Sequence, residues 1–282
     1  MPFPPPKSCD CHVHVIGPKP RFPLAAERRY TPKDAPAAEL KAMLTRLGLE
    51  RVVLVQPSFY RTDNSCMLDA MAQIDGSRGV AVLPPQVPDD ELDALDDAGV
   101  RGLRVNIATA GTTSLEIIRR DIEAAAALCE RHGWHVQIFV AAELIEPLLP
   151  VLLALPVATA IDHFGLIAPG PEAPALRAML KLLESEKIWL KISGAYRTAD
   201  DPFDPGLGPL AKAFCRANPD RIVWGSDWPH TPRHELYTGS TRELPFQDID
   251  TRALLDLVPR WLGDDGLVNK VLVSNPARLY GF

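Results

Sequence analysis

The stretch Cys9-Asp10-Cys11-His12-Val13-His14-Val15 decides how the chain is read. It has the look of a buried strand, and on a strand residues two apart point to one face. His12 and His14 are therefore expected to project together from its carboxyl end. Imidazole titrates near neutral pH, ligates metals and can polarise a carbonyl group. Two of them at one strand tip predict a reaction centre, provided that the rest of the chain brings them suitable company.

Working outward, short β-branched runs alternate with amphipathic segments. Strands are expected near residues 9–15, 52–56, 79–83, 101–106, 134–140, 157–162, 188–193 and 221–227. Apolar residues recur with helical spacing between them. Examples are Leu40, Met43, Leu44 and Leu47, then Leu115, Ile118, Ile122 and Ala125, then Leu176, Met179, Leu180 and Leu183. Further helices are expected near 65–75, 89–98, 142–154, 207–218 and 249–262. Gly48, Gly99 and Gly133 each follow such a stretch and precede a strand, as helix C-caps do. Repeated β-then-α units imply parallel strands joined by right-handed crossovers. The economical result is a (β/α)8 TIM barrel. A doubly wound open sheet is the alternative, but it usually carries a glycine-rich phosphate loop after the first strand, and none follows here.

The 282 residues suit one barrel domain spanning 1–282, preceded by a proline-rich segment 1–8. Residues 16–36, 195–206 and 229–248 read as long loops after strand carboxyl ends, the face on which barrel enzymes build their sites. The net charge of −6 argues against nucleic acid or an anionic membrane as partner. No run reaches the roughly 20 apolar residues of a membrane span, and no apolar leader follows the amino terminus. The expectation is a cytoplasmic protein, monomer or homodimer, with a small-molecule partner. The five scattered cysteines are expected to be buried thiols.

Barrel closure lets distant residues be placed together. The last strand ends in Trp224-Gly225-Ser226-Asp227-Trp228-Pro229-His230, so Asp227 should lie beside His12 and His14. His163, in Asp162-His163-Phe164-Gly165, should face the same mouth. Arg104, Asn106 and Arg197 should stand on the rim, where arginines can grip a carboxylate bidentately or pair with acids such as Asp227. Lys191 should be buried and paired, with Asp10 as a candidate partner. His132 and His135 lie at the wrong end of the barrel and are expected to pack. Trp189 and Trp224 should pack between sheet and helices, and Asp89-Asp90-Glu91 should open a helix. His230 and His234 stand in a loop near the mouth, where either a structural or a functional role is open.

His-x-His after the first strand, Asp-His-x-Gly after the sixth and Trp-Gly-Ser-Asp-Trp-Pro-His after the eighth together resemble the amidohydrolase superfamily. Phe22-Pro23, Glu27-Arg28, Tyr30-Thr31-Pro32, Gly133-Trp134-His135-Val136 and Asn275-Pro276 extend the likeness to its lactonase branch, the 2-pyrone-4,6-dicarboxylate hydrolases. The resemblance implies a hydrolase of aromatic-compound catabolism that opens a lactone or pyrone ester. Asp227 would be general base on water, His12, His14 and His163 would polarise the carbonyl, and Arg104 and Arg197 would bind substrate carboxylate. It implies no required cofactor. The alternative is a single divalent metal, zinc above all, on His12, His14, His163 and Asp227. With a metal, a decarboxylase of the same superfamily is the competing activity. Two positions depart from the branch: Ala110 replaces a second arginine, and Phe139 replaces a tyrosine. A lactone with fewer or differently placed carboxylates is then expected, with Gln137, Ser58 and Tyr60 as replacement polar contacts.

Overall fold

The computed structural model describes residues 3–170, 174–233 and 242–282. Eight parallel strands pair in chain order: β1 (Cys9–Val13), β2 (Arg51–Val55), β3 (Ser77–Ala81), β4 (Val100–Asn106), β5 (His135–Phe139), β6 (Thr159–Ile161), β7 (Ile188–Ser193) and β8 (Ile222–Gly225). They form the expected TIM barrel, with helices crossing back between them. The ring closes at the carboxyl edge, where Asp227 N–H donates to His12 O at 2.8 Å and His14 N–H to Trp228 O at 2.8 Å. The closing bonds and the residues expected to do chemistry are thus the same residues.

Several strands are shorter than their sequence pattern. β8 ends at Gly225 because Ser226 N–H turns to Asp10 Oδ1 at 2.9 Å and Asp227 enters the left-handed region at φ 63°. β3 lies two residues earlier than expected, since its register is set by pairing with Val52–Val55 and not by its own apolar run. The helix Ala37–Leu47 buries the predicted Leu40, Met43, Leu44 and Leu47 and ends on Gly48 at φ 73°. In the helix Leu115–Glu130 the buried stripe is Ile118, Ile122, Ala126 and Cys129. Leu115, expected in that stripe, stands 44% exposed on the first turn. The acidic run opens the helix Asp89–Asp97.

The core is continuous between strands and helices, and each fully buried leucine, isoleucine or valine adds about 1.5–3 kcal/mol. Trp224 is buried there, and Trp189 lies under the Arg221 guanidinium at 4.8 Å. All five cysteines are buried free thiols. The loop after β1 is pinned at its base by paired backbone bonds between Ile16 and Ala35. Its Thr31–Pro32 segment pairs with Glu243–Leu244 and so reaches over the barrel mouth. Residues 234–241 of the last long loop, and with them His234, lie outside the described residues. Among the described residues no helix is long and apolar enough to cross a membrane.

Candidate active site

The carboxyl ends of β1, β6 and β8, with the turn after β7 that carries Tyr196 and Arg197, build the centre. His12 lies in β1 and His14 just past it, their rings meeting edge to face at 5.0 Å. His163 follows β6 in a tight turn that holds it at φ 53°, with its ring 4.5 Å from that of His12. Asp227 follows β8 and is fully buried. Its Oδ1 lies 3.3 Å from His14 Nε2 and 3.7 Å from His12 Nε2. Its Oδ2 accepts the Tyr196 hydroxyl at 2.6 Å and also Arg197 Nε. His163 Nε2 stands 4.0 Å from that same Oδ2.

Gly194 makes this approach possible. A Cβ there would sit 2.7 Å from His163 Nδ1 and 3.1 Å from Asp227 Oδ2, and its φ of 54° disfavours any side chain.

The far nitrogens of the histidines fix their near ones. His14 Nδ1 lies 2.7 Å from the Val55 carbonyl, which can only accept, so Nδ1 carries the proton. A neutral His14 then presents a lone pair on Nε2 toward Asp227. His12 Nδ1 faces Asp162 Oδ1 at 3.3 Å, which favours the same tautomer. His12 Nε2 and Asp227 Oδ1 are buried without a hydrogen-bond partner among the described residues. Two imidazole lone pairs and a carboxylate oxygen therefore converge, and His12, His14 and Asp227 form a donor group that could hold a metal ion. It is the three-ligand set of an open zinc site, with Val55 O and Asp162 orienting the histidines from behind. The residues fit such an ion.

The electrostatics follow from burial and neighbours. Burial alone would raise the Asp227 carboxyl, but the Arg197 guanidinium, the strongest of its neighbours, holds it well below the usual carboxylate range. Burial would also raise Asp162, and His12 and Lys191 outweigh it in the same way. Burial pushes His163 down to about 4, against the pull of Asp227 and Asp162, so its ring is neutral near pH 7. Burial lowers His12 well below its ordinary value too.

Asp162, to which the sequence pattern assigns no role, is the hub beneath the site. It receives Gln137 Nε2 at 3.1 Å and faces Arg104 Nη2 at 3.6 Å and Lys191 Nζ at 3.8 Å. Strand parity would turn Asp162 and His163 to opposite faces. The strand ends at Ile161, so both enter the mouth. Tyr196 escapes sequence reasoning for the same reason, since Ala195–Thr198 is a helical turn and not a strand.

Other expectations are revised. Lys191 is buried, yet it donates to Gln137 Oε1 at 2.6 Å and Cys11 O at 2.9 Å, and Asp10 is not its partner. Asp10 instead accepts the backbone N–H groups of Ser226 and His12. Gln137 is fully buried inside the barrel, with its amide engaged at one end by Lys191 and at the other by Asp162. Tyr60 accepts Gly17 N–H at 3.2 Å and anchors the loop after β1. Arg197 pairs with Asp227, the acid named as its alternative partner, while its Nη2 reaches Thr231 Oγ1 at 2.7 Å. His132 stacks on Trp134, and His135 packs under Tyr280. His230 is buried against Tyr196 and bonded to Thr251, a structural seat.

Two spaces share part of their lining near the mouth. The centre opens on a void of about 20 Å³ bounded by His14, Tyr30, Phe139, His163 and Arg197. Beside it lies a cavity of about 600 Å³. Ser58, Arg104, Asn106 and Thr109 line both. Arg104 is buried, donates to Gln56 O at 3.2 Å and lies over the Phe139 ring at 5.7 Å. Asn106 caps the following turn by accepting Thr109 N–H at 3.0 Å.

The sequence model of the amidohydrolase family matches residues 9–282. The chain belongs to the amidohydrolase family. It is similar to a 4-sulfomuconolactone hydrolase of Rhizobium radiobacter, 34% identical over 96% of this chain and 89% of that protein. A 2-pyrone-4,6-dicarboxylate hydrolase of Comamonas testosteroni is 33% identical over the same shares. A solved structure from Pseudomonas putida, described as a candidate 2-pyrone-4,6-dicarboxylic acid hydrolase, superposes with a TM-score of 0.81 at 27% identity, over 98% of this chain and 97% of that one.

Proposed function

We propose that this amidohydrolase opens the ring ester of a small lactone or pyrone bearing an anionic group. The observation that carries the reading is the convergence of His12 Nε2, His14 Nε2 and Asp227 Oδ1 behind a void that shares Arg104 with a larger, arginine-lined cavity. The names of its relatives support the class of bond, since both act on cyclic esters whose substrates carry strongly acidic groups.

Asp227 Oδ1 is the free oxygen of the carboxylate; it takes the proton of the attacking water and returns it to the ring oxygen as the acyl C–O bond of the ester breaks. Tyr196 and Arg197 hold Oδ2, so the group cannot rotate away and stays ionised. His163, neutral and beside the void, donates to the carbonyl oxygen as negative charge develops there, a contact typically worth about 3 kcal/mol. His14 cannot share that role while neutral, because its only proton is committed to Val55 O. A divalent ion held by His12, His14 and Asp227 would supply Lewis-acid polarisation of the ester and a more acidic water. Arg104, Asn106 and Ser58 orient the anionic group so that water and carbonyl meet in line.

One preparation tests this. Elemental analysis gives the metal content, and an ultraviolet assay on a panel of lactones and pyrones, with and without chelator, gives the activity. Turnover abolished by Asp227→Asn supports the reading. A metal-replete enzyme that opens no member of the panel overturns it.

A further inference from the structure

The cavity beside the centre is too large to serve only the reacting carbonyl. Its far wall, which does not face the smaller void, carries Arg28, Arg29 and Arg61 against two acids, Glu27 and Asp121. Arg28 is engaged by Thr31 and Ala25, and Arg29 by the Ala110 carbonyl at 2.7 Å. Asp121 is engaged by Arg120. Arg61 is different. Among the described residues no ion pair or hydrogen bond to its guanidinium is found.

Its backbone is also costly. Arg61 closes the turn Ser58–Tyr60 at φ 52° and ψ −118°, a conformation that glycine adopts readily and arginine does not. The fully buried Gln56 enforces it, donating its amide to Arg61 O at 3.2 Å and Asp63 O at 2.7 Å. The backbone carbonyl of Gln56 accepts Arg104 at 3.2 Å. One residue thus sets two guanidinium groups on one cavity: Arg104 at the reacting end and Arg61 at the far end. Strain held in place by its surroundings is a mark of function when the residue faces a ligand space.

We infer that the far wall is a second anion subsite, in which Arg61 receives a carboxylate or sulfonate that the substrate carries away from its scissile ester. Arg61 is a specificity-determining residue that touches substrate and takes no part in proton transfer. The inference rests on the lactone-hydrolysis reading for its substrate, but not for its ligand chemistry. Arginine suits either anion because its planar fork offers paired donors.

The test uses binding and turnover in parallel. Isophthalate and benzoate, with two and one ring carboxylates, are titrated against wild-type protein, Arg61→Gln and Arg61→Gly by calorimetry. Lactones with a carboxylate, a sulfonate or a neutral amide arm are then assayed. In both variants isophthalate affinity should fall at least tenfold while benzoate affinity holds within twofold. KM should rise at least tenfold for the charged arms, and kcat and the neutral-arm KM should stay within twofold. The preferred anion is the arm with the larger KM change. Arg61→Gly removes the backbone strain and should melt no lower than wild type, so a loss of affinity there cannot be ascribed to unfolding. Unchanged isophthalate binding in both variants overturns the subsite. Arginine-dependent isophthalate binding by an enzyme that opens no lactone upholds the subsite and overturns the hydrolysis reading alone.

Discussion

Asp227 at the barrel mouth and Asp10 just below it are both fully buried carboxylates, and they behave in opposite ways. Asp227 has Arg197, Tyr196 and the histidines around it and is held far below its ordinary range. Asp10 has two backbone N–H groups but no cation among its hydrogen-bond partners, and burial lifts it to about 6, helped by Asp227 itself. Burial supplies the same penalty at both places. The placement of cations decides which carboxylate stays charged. The mouth is thus an electrostatically prepared centre, and the floor is a packed polar layer whose role is to hold β1 against β8.

The comparison breaks most sharply by neutralising each acid in turn. Asp227→Asn should lower kcat by about a thousandfold or more with the barrel intact by circular dichroism. Asp10→Asn keeps the acceptor that Ser226 and His12 need, and should leave kcat within about tenfold. Equal losses from the two would erase the distinction.

Next in size is Gly194→Ala, which drives a methyl group into His163 and Asp227. We expect a loss of about a hundredfold in kcat/KM, as for a misplacement of about 1 Å, with a melting temperature lowered by strain worth about 1–3 kcal/mol. Activity near that of wild type would mean that the close approach of His163 to Asp227 is dispensable. Tyr196→Phe, which removes one of two donors to Asp227 Oδ2, should cost about tenfold in kcat, with Arg197 still holding the carboxylate. An unchanged kcat would leave the orientation of Asp227 to Arg197 alone.

The smallest expected effect belongs to the floor. Burial holds His135 at about 3, with Lys191 adding to it. Between about pH 6.5 and 3 the unfolded chain binds a proton there that the folded one refuses, so stability falls as pH falls through that window. The slope is about 1 kcal/mol per pH unit for one such histidine, and His163 and His230, both at about 4 through burial, add to it with the same sign. Urea midpoints between pH 7 and 5 should therefore fall less steeply in His135→Gln than in wild type. Parallel slopes would show that His135 protonates in the folded state.

Much of the centre is legible in the order of residues alone. The succession of strands and helices follows from local periodicity, and closure of the barrel then places His12, His14, His163 and Asp227 at one mouth. What escapes such reading lies where strands end. Asp162 and Tyr196 enter the site because β6 and β7 stop just before them, so the alternation of faces no longer applies. The protein partners of Gln137 and Tyr60 are likewise not foretold by spacing along the chain. Lys191 and Asp162 engage both ends of the Gln137 amide, and the Tyr60 hydroxyl meets a backbone amide of the loop after β1.

The sequence by itself determined the barrel, its family and which side chains gather at the mouth, because each of these is written in local pattern and motif. Only the tertiary structure decided which atom of each side chain faces the centre. His14 turns its lone pair to Asp227 because a carbonyl 41 residues away accepts its Nδ1–H. Asp227 stays ionised because Arg197 and Tyr196, from a neighbouring strand end, occupy one of its oxygens. Such choices depend on register across the closed sheet, and no spacing along the chain contains them.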